Sequence, residues 1–229
     1  MSASGVTEDQ AALDRIAELA QPLDEIRNKV VASAAEAIEG DRSVCRVQEC
    51  QMGNLVADAM LARVADQGVQ IAIANSGGLR ASIDPGDVTM GEVLTVLPFQ
   101  NTLSTFEING QTVIDALENG VSQVEDVKGR FPQVAGLRFT WDPSVAPNEG
   151  RIIDVMVAEG DGFVPIDPNK TYLVVTNNYV RNGGDGYSMF EGDDKNAYDF
   201  GPDLADVTAE YLAENAPYQP YVDGRIQQK

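Results

Sequence analysis

Apolar and polar positions along this chain follow two periods, and the period changes near the middle. Residues from about Glu8 to Asn28 place Leu13, Ile16, Leu19 and Ala20 on one helical face, followed by Leu23 and Ile26. Thr7 is the expected N-cap. Pro22 is expected to kink that helix or split it, because it has no N–H and its ring clashes with the preceding turn. Lys29 to Ile38 is ambiguous, with a short strand expected at Val30-Val31. Met52 to Gln67 reads as an amphipathic helix with Leu55, Ala59, Met60 and Val64 on one side, and Gly68 fits its C-cap. Val69 to Ala74 reads as a buried strand that runs into a glycine loop, Asn75-Ser76-Gly77-Gly78-Leu79-Arg80. Thr89, with Glu92 three residues on, has the form of a capping box for a helix ending near Leu97-Pro98.

Thr102 to Ile108 reads as a strand closed by a turn at Asn109-Gly110, and Gln111 to Val124 as a helix. From Val134 the period is two, with strands at Leu137–Trp141, Ile152–Val157 and Tyr172–Thr176. Turns are expected at Asp142-Pro143, Glu149-Gly150 and Asp167-Pro168. A second glycine loop, Asn182-Gly183-Gly184-Asp185-Gly186, precedes a helix over Leu204–Glu214 and an extended tail. Helices and strands alternate early and strands cluster late. That order predicts an α+β domain with a mixed sheet flanked by helices, occupying residues 29–229 without internal repeats.

Charge narrows the function classes. The 229 residues carry 36 acidic against 16 basic side chains, a net charge of −20. Such a surface repels nucleic-acid backbones and anionic lipid headgroups, so neither is an expected partner. There is no histidine. That removes the commonest general base, the commonest zinc ligand and every Ser-His or Cys-His nucleophile pair. No apolar run is long enough to span a membrane. The opening Met1-Ser2-Ala3-Ser4-Gly5 lacks the basic and apolar regions of a signal peptide. A piece of a longer exported chain is compatible with such a start.

Four segments carry candidate chemistry. In Cys45-Arg46-Val47-Gln48-Glu49-Cys50, two thiolates make half a zinc site. A disulfide would close a small loop worth about 2 kcal/mol and hold Arg46 and Glu49 in a bend; two buried free thiols are the plain alternative. The loop Asn75–Arg80 follows a buried strand, where ligands often sit. Its glycines let backbone approach a ligand, and Arg80 can grip a phosphate or carboxylate. It lacks the Gly-Lys-Ser/Thr ending of a phosphate-binding P-loop, and a tight turn with a surface arginine fits as well. Phe99 and Asn101 in Leu97-Pro98-Phe99-Gln100-Asn101 offer an aromatic face and an amide, or simply core packing. The run Asn177 to Tyr187 ends a strand in three glycines and Asp185, which suits a ligand hydroxyl or a structural turn; calcium-loop spacing is missing. Together these segments bring arginines for phosphate, aromatics for a flat base and a carboxylate for ribose, with no catalyst among them.

In this order, Cys-Arg-x-x-Glu-Cys, Met-Gly-Asn-Leu with Asp58-Ala59-Met60, Asn-x-Gly-Gly-x-Arg, Leu-Pro-Phe and Asn-Gly-Gly-Asp-Gly-Tyr resemble one family. It is the C-terminal domain of the 5'-nucleotidase, UDP-sugar hydrolase and 2',3'-cyclic-nucleotide phosphodiesterase family, and the resemblance runs from about Val30 to Arg225. The resemblance implies that Arg46 and Arg80 hold the phosphate and ribose side of a nucleotide, and that Phe99 and Tyr179 sandwich the base. Asn75 and Asn101 would contact or orient the base, and Asp185 would take the ribose hydroxyls. Gly77 and Gly78 belong to the first loop, while Gly183, Gly184 and Gly186 would let the second pass under the ligand. Cys45 and Cys50 resemble a disulfide pair.

The resemblance also implies a partner. The family's catalyst is a pair of divalent metal ions in an N-terminal metallophosphatase domain built partly from histidines, and this chain contains neither. Residues 1–28 resemble the end of a linker helix about which the substrate domain rotates to deliver substrate to the metals. The expectation is therefore a nucleotide- or nucleoside-recognition domain, without cofactor or catalytic residue of its own, from a periplasmic or secreted hydrolase. A stand-alone nucleoside- or nucleotide-binding module is the alternative. Arg181 departs from the small residue expected there and points either to a more anionic ligand or to a surface position.

Overall fold

The computed structural model describes residues 9–229, the Asp193 side chain excepted. In chain order the elements are α1 (Gln10–Arg27), β1 (Val30–Ala34), α2 (Arg42–Cys45), α3 (Gln51–Arg63), β2 (Ile71–Asn75), β3 (Gly86–Thr89), α4 (Met90–Val96) and β4 (Leu103–Asn109). They continue with α5 (Gly110–Val121), β5 (Pro132–Ala135), β6 (Leu137–Trp141), β7 (Ile152–Glu159), β8 (Gly162–Pro165), β9 (Thr171–Asn177), α6 (Asn178–Arg181), α7 (Leu204–Glu214) and β10 (Ile226–Gln228).

The central sheet has the order β4-β9-β2-β5, with β2 parallel to β9 and both outer pairs antiparallel. A second sheet, β10-β6-β7-β8, pairs β10 parallel to β6 and is otherwise antiparallel. β1 and β3 form a small antiparallel ribbon. Strand β2 is buried at every position because both faces of its sheet are covered. Ile71 and Ile73 face one core with Phe106, Phe131, Val174 and helix α5. Ala72 and Ala74 face the other, which contains α3 and α7. Each fully buried isoleucine contributes roughly 1.5–3 kcal/mol, and the alanines let α3 lie close. Gly136, at φ 68°, turns the chain from the central sheet into the second one; a Cβ there would strike the Gln70 carbonyl.

The expected α+β architecture with mixed sheets and flanking helices is present, and the capping box at Thr89 and Glu92 and the α7 boundaries are as read from the pattern. Four elements differ. α1 runs as one helix through Pro22, with Asp9 accepting from Ala11 and Ala12 as its N-cap; the expected cap Thr7 lies outside the described residues. α3 is not amphipathic: Met52 to Ala57, Ala59 and Met60 are all buried, because strands β2 and β5 and helix α7 enclose it. It ends at Arg63, and Gly68 closes a separate 3-10 turn. Asn109-Gly110 forms no separate turn. Asn109 caps α5 by accepting from the Thr112 N–H, so strand passes directly into helix. Strand β1 continues to Ala34 because β3, which the pattern did not suggest, pairs with it.

Candidate functional site

Strands β2 and β9 run side by side and end at Asn75 and Asn177, and a cleft of about 540 Å³ opens beyond those ends. This is where open α/β sheets usually accept ligands. Arg46, Asn75, Arg80, Phe99, Asn101, Tyr179 and Asp185 all line it, together with Gly77, Gly78 and Gly129. The seven side chains named from the sequence therefore meet in one place, although up to 139 positions separate Arg46 from Asp185. Gly183, Gly184 and Gly186 are not part of its lining.

Each segment is fixed by buried bonding. Arg46 follows α2 inside a loop closed by a Cys45–Cys50 disulfide. Gln133 on β5 anchors that loop: its amide donates to the Cys45 and Gln48 carbonyls, both at 2.8 Å, and its oxygen accepts from the Cys50 N–H at 3.3 Å. Arg80 is placed by a 3-10 turn over Ser76–Gly78 and by its own N–H, which donates to the Val96 carbonyl. Gly77 donates to the Gly129 carbonyl at 2.7 Å, and side chains at either residue would collide with the other backbone. Phe99 and Asn101 flank Gln100, which sits at φ 52°. Asn178 ties that tip to α6. Its N–H donates to the Thr102 carbonyl, and its side-chain oxygen accepts from the Thr102 N–H. The two aromatic-bearing segments are thereby held in register.

Phe99 is 55% exposed and Tyr179 48%. Neither belongs to a core, and both line the cleft. The Arg80 guanidinium carbon lies 5.7 Å from the Phe99 ring centroid. Arg46 and Arg80 make no salt bridge among the described residues, although the chain is strongly acidic. The Arg46 Nε is buried without a partner. Burial, then the nearby charges of Arg80 and Arg42, pull the Arg46 guanidinium below its usual range. An anion would relieve both effects. Asp185 is the one acid in the lining. Asn75 donates to its Oδ2 at 2.7 Å and the Tyr179 hydroxyl lies 3.2 Å from its Oδ1. Burial, and next the Asp185 charge, hold the Tyr179 phenol above its usual value.

Two expected features are placed differently by the structure. The glycines of the second loop, expected to let it pass under a ligand, do not line the cleft and are required by the protein's own packing. A Cβ on Gly184 would meet the Tyr179 ring and carbonyl, and Gly183 and Gly186 adopt φ of 79° and 83°. Arg181 neither reaches the cleft nor lies on the surface. It is 5% exposed, donates to the carbonyls of Phe190 and Gly192, and pairs with Asp199 at 3.4 Å. It is a clamp for the segment after α6. No local pattern points to Gly129, Gln133 or Asn178, because each acts through partners remote along the chain.

Among the described residues no group of three or more His, Cys, Asp or Glu stands together as a metal site. The lining brings together two aromatic rings, two guanidinium groups, two amides and one carboxylate.

A family model for the 5'-nucleotidase C-terminal domain matches residues 30–192. The trifunctional nucleotide phosphoesterase protein YfkN of Bacillus subtilis is 39% identical over 228 residues, which are 96% of this chain and 15% of that protein. The 5'-nucleotidase of Diplobatis ommata is 30% identical over 236 residues, covering 97% of this chain and 41% of that one. Among solved structures, the 5'-nucleotidase precursor from Thermus thermophilus superposes with a TM-score of 0.89 at 40% identity, over 97% of this chain and 44% of its own. The chain spans less than half the length of each of these relatives.

Proposed function

This chain belongs to the family of 5'-nucleotidase C-terminal domains, and from that premise we propose that its cleft receives the base and ribose of a nucleotide. The observation that carries the reading is the pair of half-exposed rings, Phe99 and Tyr179, lining the same cleft as two arginines without acidic partners. A base stacks on the rings, Asp185 accepts from ribose hydroxyls, and Arg46 and Arg80 face the phosphate. Bidentate guanidinium–phosphate contacts add direction as well as charge. The two divalent metals that the family's hydrolysis implies do not fit this domain, whose described residues hold no ligand cluster. They would belong to an N-terminal domain of a longer chain, with this domain supplying recognition and no chemical step. The buried Cys45–Cys50 disulfide agrees with a periplasmic or secreted setting, where such bonds persist.

Calorimetric titration with adenosine and AMP tests the reading. The domain should bind both, weakly. Phe99→Ala and Tyr179→Ala should each weaken both ligands about tenfold, since a stacked base is worth about 1–3 kcal/mol. Arg80→Ala should weaken AMP more than adenosine. Absence of saturable binding, or unchanged affinity in the folded ring variants, overturns it.

A further inference from the structure

Behind the cleft lie two amides in series, and their orientation is forced from both ends. At one end the Val180 N–H, which can only donate, points at the Asn177 side chain at 3.0 Å. The atom it meets is therefore the carboxamide oxygen. The Asn177 amide nitrogen is then left to donate, and at 2.9 Å it meets Asn75, whose facing atom must be oxygen. The Asn75 nitrogen is left in turn, and at 2.7 Å it meets Oδ2 of Asp185. At this far end a carboxylate can only accept, so it demands the same orientation independently. Asn177 and Asn75 are 2% and 4% exposed, so water does not compete for these bonds. Asp185 itself sits at φ 55°, ψ 22°, a left-handed conformation that needs outside support.

We propose that Asn177, which does not line the cleft, is a positioning residue that sets the polarity of Asn75 and through it keeps the Asp185 carboxylate turned to accept ligand hydroxyls. This inference rests on the reading of the cleft as a nucleoside site and assigns its selectivity for a ribose with free hydroxyls. Both carboxylate oxygens are held, one by Asn75 and one by Tyr179, and each keeps acceptor capacity for a hydroxyl. If the relay reverses, the Asn75 oxygen faces Asp185 and two acceptors confront each other. The carboxylate must then turn away, while the rings and arginines stay where they are.

Asn177→Asp, in its ionised form, performs this reversal at the cost of a buried charge. Aspartate caps a helix as well as asparagine does, so the Val180 N–H keeps its acceptor, but the donor to Asn75 is gone. Binding of adenosine and of 2′,3′-dideoxyadenosine is measured by calorimetry on the wild type, Asn177→Asp and Asp185→Ala. Wild type should prefer adenosine, and Asp185→Ala should abolish the preference. In folded protein, Asn177→Asp should weaken adenosine about tenfold and change the dideoxynucleoside less than twofold, with a lowered melting temperature. If Asn177→Asp does not fold, Asn177→Ser keeps a capping oxygen and removes the amide donor without reversing the relay, and should weaken adenosine more than the dideoxynucleoside by a smaller factor. Equal weakening of both ligands, or an intact preference for adenosine in the folded variant, overturns the relay and leaves the site reading standing. A wild type that binds neither ligand overturns the site reading itself.

Discussion

Replacing Gln133 by leucine should damage both stability and phosphate recognition, by amounts that follow from its contacts. Gln133 is fully buried, and its side chain lies against Gly53. Leucine has similar bulk, so no large cavity forms. What disappears is bonding: two donors to the Cys45 and Gln48 carbonyls at 2.8 Å, and a longer acceptor bond from the Cys50 N–H at 3.3 Å. Each buried polar group left without a partner costs about 1–3 kcal/mol. Two strong bonds and one weak one therefore amount to about 3 kcal/mol. For a chain of this size, that lowers the melting temperature by about 6–12 °C. Differential scanning fluorimetry reads this directly. The same loop carries Arg46, so AMP affinity should fall more than adenosine affinity. Reducing the Cys45–Cys50 disulfide frees the same loop, worth about 2 kcal/mol in the chain-entropy account. Reduction and Gln133→Leu should therefore cost less together than the sum of each alone, as for sites sharing one structural unit. A melting temperature within about 2 °C of wild type would refute the anchoring role. Equal losses for AMP and adenosine would refute its link to Arg46.

Arg225→Ala should lower the melting temperature by several degrees, because it leaves Asp58, 2.7 Å away, without its buried partner and frees the Val134 carbonyl. Burial raises the Asp223 carboxyl, but the bond and charge of Arg225 outweigh it and hold the group below its ordinary 3.8. The folded state thus binds that proton more weakly than the unfolded state, so the stability it supplies is present above pH 3.8 and is lost as pH falls toward the folded value. Wild type should accordingly lose melting temperature more steeply below about pH 4 than Arg225→Ala does, and parallel curves would contradict this. The surplus of carboxylates should make the melting temperature rise with NaCl, since the Debye length shrinks to about 3 Å at 1 M; a flat or falling curve would argue against repulsion as a destabilising factor.

Local rules carried far in this chain. The continuous apolar run of β2, the capping box at Thr89 and Glu92, the helix over Leu204–Glu214 and the period-two strands after Val134 were legible because each depends on neighbours within a few residues. The cleft residues were legible from motif order, since arginines, aromatics and an aspartate beside glycines are recognisable without coordinates.

Sequence by itself determined most of the longer helices and strands and named residues that line the cleft. Tertiary structure decided what covers each element and which way each polar group points. The apolar stripe of α1 is plain in the sequence, but only the structure shows that none of its residues is buried in this chain. Helix α3 reads as one-sided, yet strands on one side and α7 on another enclose it. Arg181 looks available to a ligand, yet the carbonyls of Phe190 and Gly192 consume it. Gln133 carries no local signal and Asn177 only its cap on Val180, because the partners that matter lie 83–88 and 102 positions away. Periodicity reports that a face is apolar, and composition reports that a donor exists. Only the packing of distant segments fixes the neighbour that buries the face or accepts the bond, because burial and hydrogen bonding depend on separation in space and not along the chain.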